Sequence, residues 1–210
     1  FSEMTLRLSA MRAGIRSALR APVLARPLCT NLIPASSAVL GPVPGGGFFE
    51  YMRTQGKWDD LGDQPALICH ASTPPRILTY AELPKRVSAA AHALRALGMQ
   101  QGDVVNIHLH NCEQFIVGFL AIAALGGTST TSNPAYTAAE LANQHTDSGA
   151  KFVLSSRQYA ELVSKAIAES GVATVQYIED ADCFANAPPT DAPLPAPERP
   201  IDVATDLLAL

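Results

Sequence analysis

Residues 104–132, VVNIHLHNCEQFIVGFLAIAALGGTSTTS, decide the fold. Gly102-Asp103 turns the chain into Val104–Leu109, which reads as a strand. Asn111 is placed to cap the next helix, Cys112–Leu125, and Gly126-Gly127 to end it. Thr128–Ser132 is β-branched and hydroxyl-rich, the composition of a second strand. Phe115–Leu125 is the longest apolar run, but its 11 residues fall well short of the roughly 20 needed to cross a bilayer. A buried core helix fits it, and a strand–helix–strand unit of this spacing builds a parallel sheet.

The same alternation extends in both directions. Upstream, Pro65–His70 and Arg76–Thr79 flank the turn cluster Ser72-Thr73-Pro74-Pro75 and read as a hairpin. Thr79 and Glu82 have capping-box spacing ahead of a helix that places Leu83, Val87, Leu94 and Leu97 on one side and stops at Gly98. Pro84 falls where its missing N–H costs least. Downstream, Thr137 and Glu140 form a second capping box on a helix that ends before Gly149. Lys151–Ser155 reads as a strand, Arg157–Ser170 as a helix stopped by Gly171, and Thr174–Ile178 as a strand. Residues 186–200 hold six prolines and read as a linker or long surface loop. Asp202–Leu210 begins another strand-like run. The expected class is α/β, a mostly parallel sheet with covering helices.

Composition bounds the function. The 210 residues are 48% apolar and 16% charged, enough to bury a core and exclude general disorder. The formal net charge of −4 argues against a charge-driven nucleic-acid binder. The charge is uneven: residues 1–49 carry five arginines and one acid, whereas 50–210 carry ten basic and 18 acidic residues. Arg12, Arg16 and Arg20 share one helical stripe beside Met11, Ile15 and Leu19, and no acid occurs between Met4 and Phe49. Residues 1–30 therefore read as a transit peptide, and a mitochondrial location is expected, with a peroxisomal or cytoplasmic one as the alternative. Residues 31–47, with three prolines and four glycines, read as a linker to a body at 48–210. The chain starts at Phe1, which is expected of a fragment or of a translation whose true start is Met4 or Met11.

Isolated motifs point nowhere strongly. Neither G-x-G-x-x-G nor G-x-x-x-x-G-K-[ST] occurs. Gly126–Ser132 superficially resembles a phosphate cradle but follows a helix instead of opening one, so helix stop plus strand is the reading. His108 and His110 share a strand face and lack a third ligand, so no metal is assigned. His145 reads as solvated on a polar helix face. Asp59, Asp60 and Asp63 surround a turn, and Glu179, Asp180 and Asp182 read as a surface loop rather than a divalent-cation site. Cys29, Cys69, Cys112 and Cys183, spaced 40, 43 and 71 apart, read as free, mostly buried thiols in a reducing compartment.

One ordered series of short motifs goes further. Leu78-Thr79-Tyr80-Ala81-Glu82-Leu83, then Leu97-Gly98 with Gly102-Asp103-Val104-Val105, then Asn111-Cys112-Glu113-Gln114-Phe115 follow one another. Phe119–Gly127, Thr131–Leu141 (TSNPAYTAAEL) and Asp147-Ser148-Gly149-Ala150-Lys151 complete the series. Together they resemble the N-terminal portion of adenylate-forming (AMP-binding) enzymes: acyl-CoA synthetases, 4-coumarate–CoA ligases and luciferases. The Asn-Pro-x-Tyr-Thr form resembles the coumarate-like and acyl-CoA ligases, with His110 and Glu113 standing where relatives often have proline. The resemblance implies an acid–CoA ligase using ATP, Mg²⁺ and CoA on a small carboxylic acid, with residues 48–210 an incomplete part of its large domain. It also implies catalytic motifs absent here: a Ser/Thr/Gly-rich loop ending in Pro-Lys, a Thr-Glu run, a ribose-binding Asp and a lid Lys. No catalytic residue is therefore assigned, and the fragment is expected to be inactive alone. Relatives that touch CoA near the stretch matching Asn133–Tyr136 use glycines there, so that site is not carried over. Two alternatives stay open: a short non-catalytic α/β module binding an acyl ligand or a partner ligase, and a fragment of a luciferase-like oxygenase.

Overall fold

The computed structural model describes residues 47–70, 73–202, 205–206 and 208–210. The Arg-rich arm, Cys29 and the linker up to residue 46 lie outside the described residues. Two short helices, α1 (Phe48–Gln55) and α2 (Trp58–Leu61), lead into the antiparallel hairpin β1 (Pro65–Cys69) and β2 (Arg76–Thr79). Then come α3 (Leu83–Ala96), β3 (Val104–His108), α4 (Glu113–Ala124), β4 (Thr128–Thr131) and α5 (Ala138–Ser148). β5 (Ala150–Ser155), a 3-10 turn (Arg157–Tyr159), α6 (Ala160–Ser170), β6 (Thr174–Tyr177) and a second 3-10 turn (Phe184–Asn186) complete the order. The strands β4-β3-β5-β6, in that spatial order, form one four-stranded sheet, parallel throughout.

Strand alternation sorts the sheet's side chains between two cores. On one face Val105, Ile107, Phe152 and Leu154 pack with α3 and α4. On the other, Val153 packs with Leu141, Ala142, Val163 and Ala166 of α5 and α6. Val87, Leu94, Ile107, Ile122, Leu125 and Leu154 are fully buried, each contributing about 1.5–3 kcal/mol. The apolar run is thus a core helix, and among the described residues no helix is long and apolar enough to cross a membrane. Its link to β4 is tight: a Cβ on Gly127 would collide with Met99 Cε.

Several local expectations need correction. The Thr79–Glu82 bonds form, at 3.0 and 3.2 Å. The helix nevertheless starts only at Leu83, and the Tyr80 and Ala81 amides ahead of it donate to Gln64 O and Gly62 O. Leu97 falls beyond the helix, leaves its period and is 38% exposed. Cys112, not Asn111, is the N-cap of α4, without a side-chain cap bond. The start of α4 is anchored instead through Glu113, whose buried carboxylate meets Arg76 and Arg86. The Thr137–Glu140 capping box forms as expected, and Gly149 ends α5 at φ +68°, a conformation costly for other residues.

The proline-rich segment is not a free linker. Ser88 Oγ donates to Ala192 O at 2.8 Å and His92 Nε2 to Pro193 O at 3.0 Å. Arg95 pairs with Glu198 at 2.7 Å. The prolines preclude a strand or helix, but the segment's carbonyls accept from the side chains of α3. The last residues pair with the outer edge of β4: Ser129 N donates to Leu208 O and Leu210 N to Ser129 O, both at 2.9 Å. A single parallel bridge, Ser129 to Ala209, marks the expected strand-like run.

Candidate functional site

An open parallel sheet binds ligands at the carboxyl ends of its strands, where successive connections leave for opposite faces. Here α4, which follows β3, covers one face, and α6, which follows β5, covers the other. The switch point therefore lies between the carboxyl ends of β3 and β5, where His108 and Ser155, both fully buried, are register partners.

The chemistry of that pair follows from its hydrogen bonds. Ser155 Oγ lies 3.1 Å from both His108 O and His108 Nδ1. Ser155 Oγ thus sits between a carbonyl that only accepts and a ring nitrogen whose role follows the tautomer of His108. His108 Nε2 is buried without a hydrogen-bond partner. Burial lowers the His108 pKa, with the backbone of Asn133 opposing and His110 adding to the effect.

The rim around this pair is polar and largely self-satisfied. Tyr159 stacks edge-on against His108, with centroids 4.9 Å apart, and its hydroxyl meets His110 Nε2. Asn133 Oδ1 accepts from Ala135 N at 2.9 Å, and Asn106 Nδ2 donates to Ser132 Oγ at 2.5 Å. Arg157 lies over the Tyr177 ring at 4.6 Å and forms a two-pronged contact with Asp180 at 2.9 and 2.7 Å. The hydrogen bond to Asp180 raises the Arg157 pKa. Burial pushes the Glu179 carboxyl up, but bonds from Ser156 Oγ and Arg157 N outweigh it and hold the carboxyl below its usual range.

β3 ends at His108, so His110 lies beyond it and the expected shared strand face does not form; the two rings meet through Tyr159, one buried and one exposed. Among the described residues no cluster of three or more potential ligands could hold a metal ion. Glu179 and Asp180 are occupied by Ser156 and Arg157, while Asp59 pairs with Arg53 at 3.0 Å. In Gly126–Ser132, Thr128, Ser129 and Thr130 are buried in β4, so the stretch has no open cradle for a phosphate. His145 corrects the sequence reading. It is 1% exposed, packed between α5 and α6 with Nδ1 3.2 Å from Ser170 Oγ, and burial lowers its pKa to about 4. The described cysteines are free; Cys183 is buried, and burial lifts its thiol to about 11. The His108–Ser155–Tyr159 contact is absent from the sequence reading; the one signal for it was the position of each residue at or just beyond the carboxyl end of a strand.

This sheet belongs to an α/β domain, and the chain belongs to the AMP-binding enzyme family, whose model matches residues 55–209. It is similar to 4-coumarate–CoA ligase 4 of Arabidopsis thaliana, 34% identical over 133 residues, covering 63% of this chain and 23% of that protein. Among solved structures it is similar to ATP-bound MatB from Rhodopseudomonas palustris, at 25% identity and a TM-score of 0.57, covering 73% of this chain and 30% of that one. The fold is also shared with a long-chain-fatty-acid–CoA ligase (FadD1) from Archaeoglobus fulgidus, at a TM-score of 0.68 and 16% identity, covering 80% of this chain and 34% of that one. The matched part of the chain spans less than a third of the curated relative's length.

Proposed function

We propose that the chain is the N-terminal part of an ATP-dependent acid–CoA ligase. In the reaction, a carboxylate oxygen attacks the α-phosphorus of ATP, giving an acyl-adenylate and pyrophosphate, and the CoA thiol then displaces AMP. The observation that carries this reading is the family match across residues 55–209, together with relatives named 4-coumarate–CoA ligases. The residues described fit neither a triphosphate nor Mg²⁺: Thr128, Ser129 and Thr130 of β4 are buried, and among the described residues no ligand cluster forms. No chemical step is therefore assigned to a residue of this chain. Its part is scaffolding: α3 and α4 on one face and α5 and α6 on the other hold the sheet, whose carboxyl rim the remaining polypeptide would complete. The acid is a small carboxylate of the aromatic or aliphatic classes that the relatives' names print. The Arg-rich arm would carry the whole protein to mitochondria.

ATP–pyrophosphate exchange tests the reading. The purified 210-residue chain is expected to give no exchange with 4-coumarate, benzoate or a fatty acid. Polypeptide extended through a Ser/Thr/Gly-rich loop and a lid lysine is expected to exchange with at least one of them. Exchange by the short chain, or none by the extended one, overturns it.

A further inference from the structure

Two thiols that stand 43 residues apart in the sequence line one cavity of the fold. Cys69 is the last residue of β1, and Cys112 is the residue from which α4 springs. Both border a cavity of about 200 Å³ whose walls include Leu67, His70, Asn111 and Ile116. Both are half-buried and neither is in a disulfide, so a small oxidant can reach them while bulk solvent does not surround them.

Their neighbours hold the two segments together. Arg76 lies directly across the hairpin from Cys69. Its guanidinium grips Glu113, the residue after Cys112, with Nε–Oε2 and Nη2–Oε1 both at 3.2 Å. Arg86 of α3 closes on the same carboxylate, whose side chain is 3% exposed. The end of the hairpin and the start of α4 therefore cannot separate without stripping a buried carboxylate of its partners. Burial raises the pKa of Cys112 most, the amides of Phe115 and Gln114 oppose this, and a charge on Cys69 raises it further, so the two sulfurs interact electrostatically.

We propose that Cys69 and Cys112 form a redox pair, which a hydroperoxide converts to a disulfide that staples the hairpin to the start of α4. One thiolate attacks the peroxide's outer oxygen, breaking the O–O bond to give a sulfenic acid and an alcohol, or water from hydrogen peroxide. The other thiolate attacks the sulfenic sulfur, forming the S–S bond and expelling hydroxide, which leaves as water. In sum, two thiols and one hydroperoxide give one disulfide, one alcohol and one water. The stapled segment runs directly from β3, so oxidation would fix the His110–Cys112 connection beside the switch point. This inference does not depend on the ligase reading.

The test uses the 210-residue chain, treated with a small molar excess of hydrogen peroxide, alkylated and mapped under non-reducing conditions. Titratable thiols are expected to fall from four to two, with one intramolecular cross-linked peptide joining Cys69 to Cys112, reversed by dithiothreitol. Cys183, 1% exposed, is expected to stay reduced. In Cys112→Ser the cross-link is lost and Cys69 is trapped by dimedone as a sulfenic acid; Cys69→Ser gives the converse. Unlinked monomer in which Cys69 and Cys112 stay reduced or go singly to sulfinic acid, or cross-links formed only between chains, would overturn the proposal.

Discussion

The buried imidazole of His145 makes the fold acid-sensitive in a defined window. In the unfolded chain the ring titrates near 6.5; in the fold burial holds it at about 4. The folded pKa is the lower, so the unfolded state binds the extra proton. The resulting stability is whole above pH 6.5 and is lost as pH falls towards 4. At 1.36 kcal/mol per unit, the linkage removes about 2 kcal/mol by pH 5 and about 3 kcal/mol by pH 4. With a urea m-value of about 2 kcal/mol/M, the pH 5 loss lowers the midpoint by about 1 M. The assay is urea unfolding at pH 7.5, 6 and 5, followed by circular dichroism and by the fluorescence of Trp58, the only tryptophan. Other groups also titrate in acid, including His108, so the quantity to read is the difference between the parent chain and His145→Gln. Gln keeps a donor towards Ser170 and cannot titrate. The variant's midpoint is expected to fall less than the parent's by the amount above. Parallel curves from pH 7.5 to 5 would mean that His145 ionises freely in the fold, and would refute its burial.

Three further outcomes are expected. Glu113→Ala leaves Arg86 without its buried partner and should cost about 3–5 kcal/mol in urea unfolding, whereas Glu113→Ala combined with Arg86→Met should recover part of that loss. Gly127→Ala drives a methyl into Met99 and should cost about 1–3 kcal/mol, read as a lower Tm. The outer edge of β6 and the exposed pair Ile68 and Ile77, 54% and 53% accessible, should make the chain self-associate; light scattering that reports monomer across a concentration series contradicts this.

The architecture was legible because its signals are local. The apolar run 115–125, the glycines at 126–127 and the Thr137–Glu140 box each act within a few residues, and each formed what its spacing predicts. His145 was misread because its type outweighed its position. It stands four residues after Leu141, on the same side of the helix, and α6 supplies Ser170 to satisfy it. Asn111 lost the cap to Cys112 because Glu113 is drawn to arginines from β2 and α3, a tertiary pull that no local window contains. The switch point was the least legible part. His108 and Ser155 meet only through the register of β3 against β5.

The proline-rich run along α3 has a consequence for the protein's solubility. Six of its positions have no amide hydrogen to give, so the run takes hydrogen bonds from the helix but cannot offer a continuous ladder to another chain. A flank sheathed in this way resists strand addition, which leaves the outer edge of β6 and the separate hairpin as the margins open to other chains.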